Sequence, residues 1–219
     1  SLLENIAVAK QADKMYPFLK DKGYGKLDGE TVKIIKRNTG AMIFHKVGGI
    51  VISATDNIVI SAKVGIIWVG LYSNYLLIIT ALNSIIGQLF SSVTASIGNL
   101  GATESKEKSF FVFNNIQFAN FWIYGFSSIC LYWLSNPFIN LWIGKEYLMT
   151  MDIVAILVIN FYVQGMRKSV LTFRDALGLY WNDRYKPLFE VTINIVASII
   201  LASKLGIVGV FIGTLISTI

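Results

Sequence analysis

Apolar residues gather along this chain into long runs separated by short polar connections. The runs cover roughly 40–62, 66–97, 109–134, 148–171 and 187–203, and another opens near 206. About 20 mostly apolar residues, wound as a helix, cross a hydrocarbon core of roughly 30 Å. Short segments of strict alternation, the mark of a membrane β-barrel, are missing. The pattern therefore predicts an all-α fold, a polytopic transmembrane helical bundle. The second run is about 32 residues, or about 48 Å as a helix, and has to tilt, bend or project into water.

Residues 1–9 read as the end of an apolar helix that starts upstream. Residues 10–39 form a basic polar loop carrying Lys10, Lys14, Lys20, Lys22, Lys26, Lys33, Lys36 and Arg37, punctuated by Gly23, Gly25 and Gly29. Asp28 is placed to cap a helix starting near Gly29, and Val32, Ile34 and Ile35 make its start an amphipathic lead-in to the membrane. Residues 40–219 hold the spanning segments. The stretch Ser135–Thr150 reads as a loop, with Pro137 and Gly144 as turn residues and Trp142 and Tyr147 as an interfacial belt. A first residue other than Met and a last apolar run lead us to expect a fragment of a larger protein.

Composition narrows the class. Of 219 residues, 54% are hydrophobic and 15% charged, and the mean hydropathy is +0.60. Soluble domains carry about 25% charged residues, so a water-soluble globule is excluded. The single cysteine, Cys130, allows no disulfide framework and no thiol-rich metal site. The charge of +6 is unevenly placed. Connections on one side take the 10–37 cluster, Lys106, Lys108, Arg167, Lys168, Arg174, Arg184 and Lys186; the other side takes Lys63, Lys145 and Lys204. This asymmetry puts the N-terminal loop in the cytoplasm.

Asp56 and Asn57 lie well inside the first run, an expensive place for an ionisable group unless it meets a partner or a wet cavity. His45, Gly49, Ser53 and Asp56 share one helix face, and Lys46, Ser53 and Asn57 an adjoining one, so a polar stripe runs along this helix. It either lines a cavity or packs closely through Gly48, Gly49 and Ser53. In the second run Ser73, Thr80, Gly87 and Thr94 recur every seven residues like a packing seam, while Asn83 and Gln88 exceed what packing needs. Asn114, Asn115, Gln117 and Asn120 open a third segment read as structural. Glu190 and Asn194 share a face of the fifth, where Glu190 also suits the helix dipole. Between segments four and five, Arg167, Lys168, Arg174, Arg184 and Lys186 surround Asp175, Asp183, Trp181 and Tyr185; Arg there suits phosphate, or topology alone. No phosphate-cradling Gly-rich loop, metal-ligand spacing or Ser/His/Asp set is present, so nothing supports ATP hydrolysis or catalysis, and no nucleic-acid partner is expected.

Several stretches resemble the C-terminal half of bacterial lipid-linked oligosaccharide flippases, the O-antigen and exopolysaccharide repeat-unit exporters of the multidrug/oligosaccharidyl-lipid/polysaccharide superfamily. They are TDNIVIS (55–61), VGLYSNYLLI (69–78), ASIGNLGATES (95–105), FRDALGLYWNDRYKP (173–187), NPFINLWIGKEYL (136–148) and GVFIGT (209–214). The resemblance covers nearly the whole chain, and NLGATESKEK (99–108) would suit a Gram-positive capsule or exopolysaccharide member. It implies the C-terminal lobe of a two-lobe, twelve- to fourteen-helix transporter in a bacterial plasma membrane, holding helices seven to eleven. Such a protein moves undecaprenyl-pyrophosphate-linked oligosaccharide from the cytoplasmic to the outer leaflet of the lipid bilayer, alongside polysaccharide polymerase machinery. The cavity candidates are Lys46, Asn57, Asn83, Gln88, Arg167 and Arg174. Lys46 and Arg167 are the ones the resemblance assigns to the anionic pyrophosphate. Asp56 and Glu190 are candidates for coupling or gating, with H+ or Na+ as the coupling ion and no resident cofactor. The alternatives are a cation-coupled multidrug exporter of the same fold, which needs an aromatic and acidic cavity, and a membrane-embedded glycosyl- or acyltransferase built on Asp175 or Asp183.

Overall fold

A computed structural model of the chain describes residues 2–20 and 27–219, and every regular element among them is helical. Lys22, Lys26, Gly23 and Gly25 of the expected basic loop lie outside the described residues. Contacts divide the chain into two units, Ser1–Arg37 and Asn38–Ile219.

In the first unit α1 spans Leu2–Met15, running beyond the expected end at residue 9 because Lys10 to Met15 are mostly good helix formers. A short 3₁₀ turn follows at Pro17–Lys20. Asp28 starts α2 (Gly29–Val59): its Oδ2 accepts from the Thr31 amide at 2.9 Å. Hydrogen bonds from the Thr31 side chain and amide hold the Asp28 carboxyl below the usual carboxylate range.

The second unit is a helical bundle. After α2 the backbone widens by one residue per turn over Ile60–Val64, with the Gly65 amide donating to the Ile60 carbonyl. The helices α3 (Ile66–Thr103), α4 (Lys106–Trp142), α5 (Met151–Met166), α6 (Lys168–Ala176), α7 (Lys186–Leu205) and α8 (Ile207–Thr218) follow. Among the described residues four helical segments are long and apolar enough to cross a membrane: Gly29–Val64, Ile66–Thr103, Met151–Ala176 and Lys186–Leu205. α4, which contains the expected 109–134 segment, is long enough at 37 residues, but its amides, Tyr and Trp dilute its apolar character. α5 is an inner helix, as is α8. It buries Ile153, Val154, Leu157, Val158 and Phe161 against α4 on one side and α8 on the other.

Two expectations are corrected. Residues 135–142 continue α4 instead of forming a loop, although Pro137 removes a backbone donor. Tertiary contacts outweigh that loss. Ile139 is fully buried in the core. Asn136 Oδ1 accepts from Tyr75 Oη at 2.5 Å, its Nδ2 donates to the Met149 carbonyl at 2.9 Å, and the Met149 amide donates to Tyr75 Oη at 2.9 Å. Tyr75→Phe strands two of these groups in the core and is expected to cost about 1–3 kcal/mol, read as a lower unfolding temperature of the detergent-solubilised protein. The second correction is that the 148–171 segment is broken. α5 stops at Met166, and α6 restarts after Arg167. The break is held from α4, where buried Asn120 Nδ2 donates to the Gly165 and Met166 carbonyls and Gln117 Oε1 accepts from Ser169 Oγ.

α7 and α8 form an antiparallel hairpin joined by Gly206 alone. Its φ of 59° and ψ of −137° suit only glycine. The two helices then meet backbone to backbone, because Gly209 and Gly213 offer no side chain against Leu201 and Ser198.

Candidate functional site

A cavity of about 450 Å³ opens inside the second unit, walled by α2, α3, α5, α6, α7 and α8. His45, Gly49, Ser53, Asp56 and Asn57 give it one polar wall from successive turns of α2. Tyr72 and Phe211, with ring centres 4.9 Å apart, and Phe161 form an apolar wall. Asn160, Gln164, Arg167, Arg174 and Glu190 add further polar lining.

Asp56 is the buried carboxylate, with 6% of its surface exposed. Its partners are neutral and come from the α7–α8 hairpin. Thr214 Oγ1 lies 3.0 Å from both carboxylate oxygens, and Asn194 Nδ2 donates to Oδ1 at 3.4 Å. The Thr214 hydroxyl has one proton, and the Val210 carbonyl is a competing acceptor at 3.2 Å. Asn194 Oδ1, fully buried, has no partner. One place thus collects a carboxylate, a hydroxyl, a backbone carbonyl and an unclaimed amide oxygen, with no cation paired to the acid among the described residues. Oxygen groups of this kind suit a proton or a hard cation.

At the other end of the cavity the charges are paired. Arg174 Nη1 donates to Asp183 Oδ2 at 3.1 Å, and its Nε and Nη2 donate to Asp175 Oδ1. His45 links to both members: its Nε2 is 3.0 Å from Asp183 Oδ1, and its Nδ1 is 3.3 Å from Arg174 Nη1. Since a guanidinium can only donate, Nδ1 is the acceptor and Nε2 carries the proton. Nearer the Asp56 cluster, one turn along α7 from Asn194, Arg167 Nη2 lies 2.8 Å from Glu190 Oε1. The His45, Arg174 and Asp183 contacts tie α2 to the α6–α7 connection, and Pro187, in the first turn of α7, seats against Gly48 so closely that a Cβ at Gly48 would lie 2.6 Å from its own.

The sequence candidates divide accordingly. Asp56, Asn57, Asn83, Arg167, Arg174 and Glu190 all line the cavity. Lys46 and Gln88 do not. Lys46 is exposed and borders open grooves on the outer side of α2, because one residue along a helix turns the side chain by about 100° from His45. Gln88 is exposed on α3. Arg184 is also outside the cavity, held over the Trp181 and Tyr185 rings at 4.0 and 4.4 Å. Sequence reasoning did not single out Thr214, Asn160 or Gln164. The lone Asn160 within the apolar run of α5 was the available signal for one of them.

Comparisons with protein-family models, with curated proteins and with solved structures find no match to this chain.

Proposed function

We propose that this chain is the C-terminal lobe of a two-lobe flippase that carries a lipid-linked oligosaccharide from the cytoplasmic to the outer leaflet. The observation that carries the reading is the polarity of the cavity. Arg174 and His45 stand at one end, about 16 Å along α2 from the buried Asp56 oxygen cluster at the helical rise, and Arg167 sits between them, its partners Glu190 and Thr218 one turn from the Asp56 partners Asn194 and Thr214. With the basic connections on the cytoplasmic side, the arginines meet an anionic diphosphate headgroup entering from within. Asp56 with Asn194, Thr214 and Val210 then holds the coupling proton or Na+. On this reading α4 is a fifth crossing, and the apolar outward residues of α3 and α4, such as Ile67, Leu77, Phe118 and Phe126, face lipid.

Depletion of the protein in its host tests the reading. Lipid-linked repeat units retained on the cytoplasmic leaflet support it, whereas drug hypersensitivity with normal surface polysaccharide supports an exporter. Arg167→Gln is expected to lower transport about tenfold, the loss of one charge-assisted contact to the headgroup, measured as accumulated lipid-linked precursor at unchanged protein abundance.

A further inference from the structure

Arg167 has a carboxylate already in its grasp. Besides the 2.8 Å contact of Nη2 with Glu190, its Nη1 donates to the Thr218 carbonyl at 3.4 Å, so the guanidinium stays anchored to α8 whatever the acid does. The acid itself is less firmly held. Only 16% of its side chain is exposed, yet Oε1 has no donor aligned for a hydrogen bond, so its contact with Arg167 is ionic without being directional. A second cation waits on the same helix: Lys186 Nζ, one turn earlier, is 3.6 Å from the same oxygen.

This arrangement changes the usual cost of breaking a buried ion pair. That cost arises because one charge is left alone in a low-dielectric place. Here neither charge is left alone if an anion takes Arg167 as Glu190 turns to Lys186, which is itself 44% exposed and so already hydrated. We propose that Glu190 is a built-in counter-anion of the Arg167 seat, displaced onto Lys186 when a diphosphate headgroup enters. The proposal rests on the headgroup reading of the cavity and adds a selectivity rule to it. A ligand has to compete with a resident carboxylate. A diphosphate can do so because it carries more charge than a carboxylate and offers paired oxygens to the guanidinium fork; a monophosphate competes less well.

The test uses the full-length protein in lipid nanodiscs, with farnesyl diphosphate, farnesyl monophosphate and inorganic pyrophosphate as probes, followed by calorimetry. Glu190→Gln keeps the shape and removes the competitor. It is expected to tighten farnesyl diphosphate about tenfold and to narrow the preference over the monophosphate. Lys186→Met is expected to weaken diphosphate binding in the otherwise unchanged protein and to have no effect beside Glu190→Gln. Tightening of inorganic pyrophosphate by Glu190→Gln supports a seat that reads the headgroup alone, and tightening confined to the farnesyl ligand supports one that also needs the lipid tail. If Arg167→Gln abolishes binding while Glu190→Gln leaves it unchanged or weaker, the counter-anion role is overturned and the headgroup reading stands. If Arg167→Gln leaves binding unchanged, both fall.

Discussion

Asp56→Asn is expected to reduce transport about 100-fold while leaving the protein inserted and folded. The magnitude is the upper end of a coupling free energy of about 3 kcal/mol, which is what an ion-binding carboxylate supplies when it links an ion gradient to a conformational step. Asparagine has nearly the same volume, and the side-chain hydroxyl and amide of Thr214 and Asn194 can each turn to meet it. The structural alternative makes the opposite forecast. If Asp56 only glued α2 to the hairpin, the variant would lose stability and transport together. A buried acid whose partners are all neutral is instead an energetic burden, and a neutral isostere relieves it. We therefore expect an unchanged or higher unfolding temperature together with lost surface polysaccharide, at equal abundance in the membrane. Normal surface polysaccharide in this variant would overturn the coupling role.

The second large effect belongs to the hairpin. A Cβ at Gly213 would lie 2.5 Å from Ser198 Oγ, 2.6 Å from its backbone nitrogen and 2.8 Å from its Cα. Backbone atoms cannot step aside as a side-chain tip can, so Gly213→Leu forces the helices apart. The expected cost is about 3 kcal/mol, the upper part of the range for overpacked cores. It is read as early thermal unfolding or loss of a monodisperse peak in detergent. Gly70→Ala is the control. Nothing lies within 4 Å of a Cβ there, and the change is expected to stabilise α3 by about 0.5–1 kcal/mol. Equal unfolding temperatures for both variants would mean that the close approach contributes nothing.

The helices were legible because each apolar run is long, and a backbone that must satisfy its own hydrogen bonds in lipid has few other choices. The interruptions were harder to read. Pro137 is a stop signal by local rules, yet Ile139 and Asn136, anchored to distant residues, carry the helix through it. The break at Arg167 is held by two α4 amides, Asn120 on the last carbonyls of α5 and Gln117 on Ser169 at the start of α6, and no pattern within 148–171 contains that information. The candidate site shows the same limit. Asp56 stands out as an acid in an apolar run, but its partners lie 138 and 158 positions along the chain. Thr214 is inconspicuous in GVFIGTLIST. Lys46 and His45 are adjacent in sequence, and only the rotation of α2 decides which of them meets the cavity.

The one-residue link at Gly206 bears on how the Asp56 cluster can work. Asn194, Val210 and Thr214 ride on two helices locked at van der Waals distance, so three of the four oxygen donors travel as one body. The carboxylate alone belongs to a separate helix. The cluster is therefore a gauge of a single coordinate, the gap between α2 and the hairpin, and on the proposed reading the displacement of one rod retains or releases the coupling ion.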